Sequence, residues 1–363
     1  MTRAARAGAL AAIAVTLGCG GGVASSPAFD RLFAEGERAE HAGRHEDAAV
    51  TFERAAALGP RVKDRDEALY LAARSRERGG DYPRAQATLR SLEGVSPKGP
   101  RAARAAFDDA EIELEHGDAA KGRAMLEVAA RANPTSGNAR PALERLVREI
   151  EQGSGARAAL GWITTESAAF RGTEQEEVCA YLVALELDHA SDAAAAHDAY
   201  LSTARRWPYP RGAFTDAALE RAADLDVARG RPAEAIEHLR EMLRAREKSD
   251  TIGSYERPHY AEAQLEIGEI YRDKLGDPAA ARREFRRLFD DFPTSRLRDD
   301  ALWAEARVAQ KQGDEPGACD AASKLVRDLP DSRYAACARL VCPTAPEATS
   351  KRPCADYIER DLR

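Results

Sequence analysis

The chain has 363 residues, a net charge of −7, an isoelectric point near 5.7 and a mean hydropathy of −0.52. Alanine fills roughly a fifth of the positions, against 32% charged and 6% aromatic residues, so the chain is rich in helix formers. That composition argues against a β-sandwich, a barrel or a parallel-sheet nucleotide-binding domain. The hydropathy and the lack of a 20-residue apolar run exclude a multi-spanning membrane protein. The acidic balance argues against nucleic acid as a partner, because duplex binding needs a basic face. Length alone would allow two or three domains.

At the start of the chain, Arg3 and Arg6 precede an apolar run from Ala7 to Leu17, too short to span a bilayer and suited to a secretory signal. It ends in Thr16-Leu17-Gly18-Cys19, followed by three glycines. This resembles the lipobox of bacterial lipoproteins, with one departure: Thr16 stands where leucine is usual. The resemblance implies that residues 1–18 are a signal peptide, that Cys19 carries lipid, and that Gly20 after it favours outer-membrane sorting. Several acyl chains would anchor such a protein stably, at about 0.8 kcal/mol per buried CH₂. The alternative is an ordinary cleaved signal with Cys19 structural or free. Without Arg3 and Arg6 the charge moves from −7 to −9. Residues 19–28 read as a flexible tether.

Past Phe29 the sequence repeats. Pro60, Pro97 and Pro134 are spaced at one interval of 37, and Phe33, Tyr70 and Phe107 keep it. Each unit carries a small residue in its first helix (Gly36, Ala73, Ala110) and a turn glycine (Gly43, Gly80, Gly117). A second small residue (Ala48, Ala85, Gly122) and a bulky one (Phe52, Leu89, Leu126) follow. This resembles the tetratricopeptide repeat, a helix–turn–helix unit of about 34 residues. Small residues permit close helix approach, the glycine supplies a positive-φ stop, and proline ends the second helix. The bulky residue is expected to fill the space between neighbouring units.

The phase continues to Pro330. Units 1–3 cover 29–134, and a degenerate fourth unit (Leu143, Ala159, Ile163) covers 135–176. Units 5–8 cover 177–330, the seventh being the closest match: Gly268, Tyr271, Gly276, Ala281, Phe285 and Pro293. The predicted fold is an all-α superhelical solenoid of about eight helical pairs, with residues 331–363 as a C-terminal cap. Unit four and the Lys248–His259 stretch are candidate hinges, or simply bends.

Cys319, Cys337, Cys342 and Cys354 crowd the last part of a chain whose leader predicts export, a context that permits disulfides. The favoured pairing is Cys319–Cys337 and Cys342–Cys354. No CxxC pattern supports a zinc site there, and neither a metal nor a cofactor is expected. Cys179 reads as a small buried hydrophobe.

Catalytic signatures are missing: no phosphate loop, nucleophile elbow or His-Glu-x-x-His motif occurs. The seven histidines are scattered singly, and Glu111 with Glu115 and Glu262 with Glu266 fall on solvated faces by spacing. An enzyme is not expected, nor a small-molecule substrate. In tetratricopeptide arrays the first helices line a groove for a partner protein. By that resemblance the groove set is Phe33, Glu37, Glu40, Tyr70, Arg74, Glu77, Phe107 and Glu111, then Tyr181, Asp188, Trp303, Arg307 and Lys311. The aromatic row either binds or merely packs. The acidic first units point weakly to a basic or mixed-charge partner.

The stretch 261–313 is similar to repeats of envelope proteins, including the lipoprotein of the outer-membrane barrel-assembly machine and periplasmic cell-division coordinators. The resulting expectation is a lipid-anchored, periplasm-facing scaffold. The alternatives are an assembly factor for an outer-membrane machine (barrel-assembly-like or pilotin-like) or a regulatory partner of peptidoglycan enzymes.

Overall fold

A computed structural model describes residues 26–244, 258–349 and 353–362. The leader, Cys19 and most of the tether lie outside the described residues, as does the expected hinge up to residue 257. Among the described residues every regular element is helical. The first sixteen α-helices form eight consecutive pairs. They are α1 (Pro27–His41) with α2 (His45–Leu58), α3 (Val62–Arg78) with α4 (Tyr82–Val95), and α5 (Ala102–His116) with α6 (Ala119–Ala132). Next come α7 (Ala139–Ser154) with α8 (Ala156–Glu166), α9 (Gln175–His189) with α10 (Ala193–Arg206), and α11 (Thr215–Ala228) with α12 (Pro232–Arg244). The last pairs are α13 (Pro258–Asp273) with α14 (Pro278–Asp291) and α15 (Arg298–Lys311) with α16 (Glu315–Asp328). Two short helices follow, α17 (Ala338–Val341) and α18 (Asp356–Leu362).

The chain divides into two compact units, one ending at Ala142 and the other starting at Leu143. In the first, α1 starts at Pro27, inside the expected tether, because Ser26 Oγ caps it by accepting from Phe29 N at 3.1 Å. Five second helices share another cap that no glycine or proline count reveals. Asp81, Asp118, Asp192, Asp277 and Asp314 each accept from a backbone N–H of the first turn. Each such cap contributes about 1 kcal/mol.

The small residues lie where paired helices touch. A Cβ on Gly122 would come within 2.3 Å of the Leu114 backbone. On Gly36 it would meet the Phe52 ring at 2.7 Å, so Phe52 packs on the glycine of its own pair rather than only between pairs. Gly43 and Gly80 take the left-handed turn conformation at φ 71° and 79°. Gly117 does not: its φ is −123°, and the Glu113 carboxylate takes the turn's N–H instead.

In the second unit, a core of Tyr200, Leu239, Phe285 and Phe292 runs from α9 to α15. A separate cluster joins α15 and α16 to Val341, Cys342 and Ala345. The disulfides are Cys319–Cys342 and Cys337–Cys354, not the pairing expected from sequence. The expected pairing needed a full helix through Cys337 facing α16. Instead the chain makes one tight turn at Ala335–Cys337 and the four-residue α17, which brings Cys342 to α16. Cys337 is then left to hold the segment leading into α18. Cys179 is buried, and burial raises its thiol to about 11.

Candidate protein-interaction surface

In the first unit, most of the expected groove residues are engaged within the fold. Tyr70 and Phe107 are 9% and 1% exposed, so at these positions the aromatic row is core and offers no ring to a partner. The reason is chemical as well as steric. Tyr70 Oη donates to the buried Asp108 at 2.7 Å, and Arg101 lies over its ring. Arg74 pairs with Glu77 at 2.5 Å, and Arg104 sits 2.8 Å from Asp108. Glu40 is tied to Arg78 and His45. Phe33 is half-buried, edge-on to Phe52, while Glu37 is exposed and Glu111 half-buried.

In the second unit, Tyr181 stacks on Phe214 at 4.4 Å. Along the first helices of the next pairs lie Glu220, Asp224, Glu266 and Glu269. Burial, with the charges of the other three, raises the Glu266 carboxyl to about 7. Glu266 is thus half-buried rather than on the solvated face its spacing with Glu262 predicts.

The array then opens into a cleft of about 830 Å³. One wall is formed by Leu265, Glu269 and Arg272 of α13, another by Trp303, Arg307 and Lys311 of α15. Trp303 stacks on Tyr334 with ring centres 5.0 Å apart, and Tyr334 Oη donates to Asp300 at 2.7 Å, which fixes the indole in place. Arg307 donates to Gln310 at 2.7 Å. The remaining wall is Tyr357 and Ile358 of α18, held by the Cys337–Cys354 bond. Ile358 is buried, but Tyr357 is 51% exposed.

Three of the sequence-derived groove residues, Trp303, Arg307 and Lys311, are therefore brought together. Sequence reasoning missed Tyr334, Arg272, Tyr357 and Ile358, because the last two reach the cleft only through the disulfide. A second cleft of about 600 Å³, in the first unit, is lined by Pro97, Ala102, Ala106, Met125 and Val128. It contains none of the expected groove residues.

Family profiles described as tetratricopeptide repeat match residues 70–137 and 262–295. These two stretches are thus similar to the tetratricopeptide repeat, and the succession of helices gives an all-α solenoid fold. No curated protein matches its sequence. Solved structures similar to it include the C-terminal part of a repeat protein from Cytophaga hutchinsonii, 12% identical over 74% of this chain and 99% of that one, at a TM-score of 0.46. Another is PilW, a type IV pilus biogenesis factor, 15% identical over 65% and 98% of the two chains, at a TM-score of 0.39. A third is PilF of Pseudomonas aeruginosa, 18% identical over 64% and 94%, at a TM-score of 0.38.

Proposed function

We propose that the protein is a non-enzymatic scaffold of the bacterial envelope that holds a partner protein in the cleft between α13, α15 and α18. One observation carries this reading. The cleft presents a fixed indole, an exposed tyrosine and the cations Arg272, Arg307 and Lys311 together, the aromatic-plus-arginine chemistry that dominates protein interfaces. Many first-helix polar groups of the first unit are engaged within the fold. Phe33, Glu37, Arg74, Glu111 and Tyr181, expected from the sequence to line the groove, are not among the residues that line this cleft.

Attachment is through lipid on Cys19, with the protein facing the periplasm from the outer membrane. Among the described residues no helix is long and apolar enough to cross a membrane. Cys19→Ala is expected to abolish palmitate labelling and release the protein from the membrane fraction; unchanged retention would contradict the anchor. Partner capture is tested by Trp303→Ala with Arg307→Ala in the full chain, expected to lose a crosslinked partner while keeping helicity. Depletion then separates the narrower roles. Loss of one outer-membrane oligomer from an otherwise intact envelope marks an assembly factor, and recovery of a peptidoglycan synthase or hydrolase marks a regulator of those enzymes.

A further inference from the structure

The histidines, scattered singly in sequence, are not all scattered in space. His197 of α10, Asp226 of α11 and His238 of α12 bring two imidazoles and one carboxylate together, their ligand atoms all within 4.8 Å of one another. His197 and Asp226 are only 9% and 1% exposed. His197 Nε2 lies 3.1 Å from Asp226 Oδ1, and His238 Nε2 lies 3.3 Å from Oδ2. Neither approach has hydrogen-bond geometry: His197 Nε2 and both Asp226 oxygens are buried without a hydrogen-bond partner.

The same repeat position is filled differently in earlier pairs. Ala73, Ala110 and Ala223 hold one repeat position, so Asp226 occupies the slot of Arg76 and Glu113. In those two slots direct hydrogen bonds engage the charged group, with Arg76 Nε alone left without a hydrogen-bond partner. Arg76 donates to Glu53 at 2.6 Å and Thr88 at 2.7 Å, while Glu113 accepts from Gln86 at 2.9 Å and Lys121 at 3.0 Å. In the Asp226 slot the partners are equally near but not aimed at one another. Buried polar groups are expensive to leave unpaired, so such an arrangement calls for a species that all three address at once.

We propose that His197, Asp226 and His238 form a zinc site that ties the fifth helical pair to the sixth. A tetrahedral zinc with bonds of about 2.0–2.1 Å sets its ligand atoms about 3.4 Å apart, close to the 3.1 Å and 3.3 Å at which the two imidazoles approach the two oxygens of Asp226. Imidazole nitrogens with one carboxylate are a borderline donor set suited to that ion. The imidazoles must be neutral to bind, and burial lowers the His238 pKa. His197 Nδ1 lies 3.2 Å from Asp198, the outer carboxylate contact that commonly fixes the tautomer leaving Nε2 free for metal. Arg231 is the competing cation, since its Nη2 is 2.5 Å from Asp226 Oδ1. It also lacks hydrogen-bond geometry there, so an ion pair alone leaves the slot unsatisfied.

The test uses the full chain, stripped with EDTA and titrated with Zn²⁺, alongside His197→Gln, His238→Gln and the double variant. One equivalent should bind the wild type and raise its melting temperature by about 3–6 °C at a hundredfold excess over Kd, reversibly with EDTA. The double variant, with unchanged helical circular dichroism, should show no shift. Each single variant should bind at least tenfold more weakly, which keeps the test open if the double variant misfolds. Arg231→Gln should bind at least as tightly as wild type. No Zn²⁺-dependent shift in the wild type, an equal shift in the histidine variants, or loss of binding in folded Arg231→Gln would overturn the assignment. Zinc uptake without a melting shift, unaltered by these substitutions, would place the ion on the acidic surface clusters instead and would equally overturn it.

Discussion

The first-helix faces of the two compact units use similar residue types to opposite ends. Around Tyr70 and Phe107 the rings are buried and the charges are closed into short ion pairs, so the face is finished without a partner. Around Trp303 the ring is held by Tyr334 at the edge of a cleft, and a helix tethered by a disulfide supplies the far wall. An aromatic at one repeat position is therefore not evidence of binding. What distinguishes the two is whether the next element closes over the ring or stops short and leaves a wall.

The largest expected effect comes from removing that wall. Loss of the Cys337–Cys354 bond in a Cys337→Ala/Cys354→Ala variant should cost about 3 kcal/mol, by the loop-entropy argument and the usual range for native disulfides. A thermal melt should show the destabilisation, and partner capture should fall with it. Breaking the first unit instead should leave capture intact. Gly122→Ala, whose Cβ meets Leu114 backbone at 2.3 Å, is expected to cost about 1–3 kcal/mol in denaturant unfolding, with the partner retained in the folded fraction.

Tyr70→Phe is a smaller version of the same control. It removes the hydroxyl that donates to the buried Asp108 and should cost about 1–2 kcal/mol without affecting binding. The smallest effect is on pH dependence. The folded Glu266 carboxyl is raised from 4.5 to about 7 by burial and by Asp224, Glu220 and Glu269. The folded state therefore binds more protons than the unfolded one between about pH 4.5 and 7, so this group's contribution falls as pH rises through that window. Glu266→Gln should flatten the melting-temperature profile there; a profile identical to wild type would count against the shift.

Most of the fold was legible because the repeat writes the same local chemistry again and again. The alternation of small and bulky residues set the helical pairs, and Gly43, Gly80, Gly230, Gly276 and Gly313 do take positive φ at the turns. Gly117 broke the rule because a nearby carboxylate, not the backbone angle, satisfies that turn. The candidate site was legible only in part. Trp303, Arg307 and Lys311 follow from the repeat phase, whereas Tyr357 and Ile358 depend on a disulfide pairing that linear spacing cannot fix. The short α17 decides that pairing, and its length has no periodic signature. Likewise His197, Asp226 and His238 come from three helices of two pairs, and only the folded packing brings them within reach of one another.

The central claim is that the partner sits in the C-terminal cleft and not along the first unit. A photo-crosslinking residue placed at Lys311, beside the cleft, and separately at the exposed Glu37 tests it in living cells. A discrete crosslinked partner from position 311 with none from position 37 is the predicted result. The same partner captured at position 37 and absent at 311 would contradict the account.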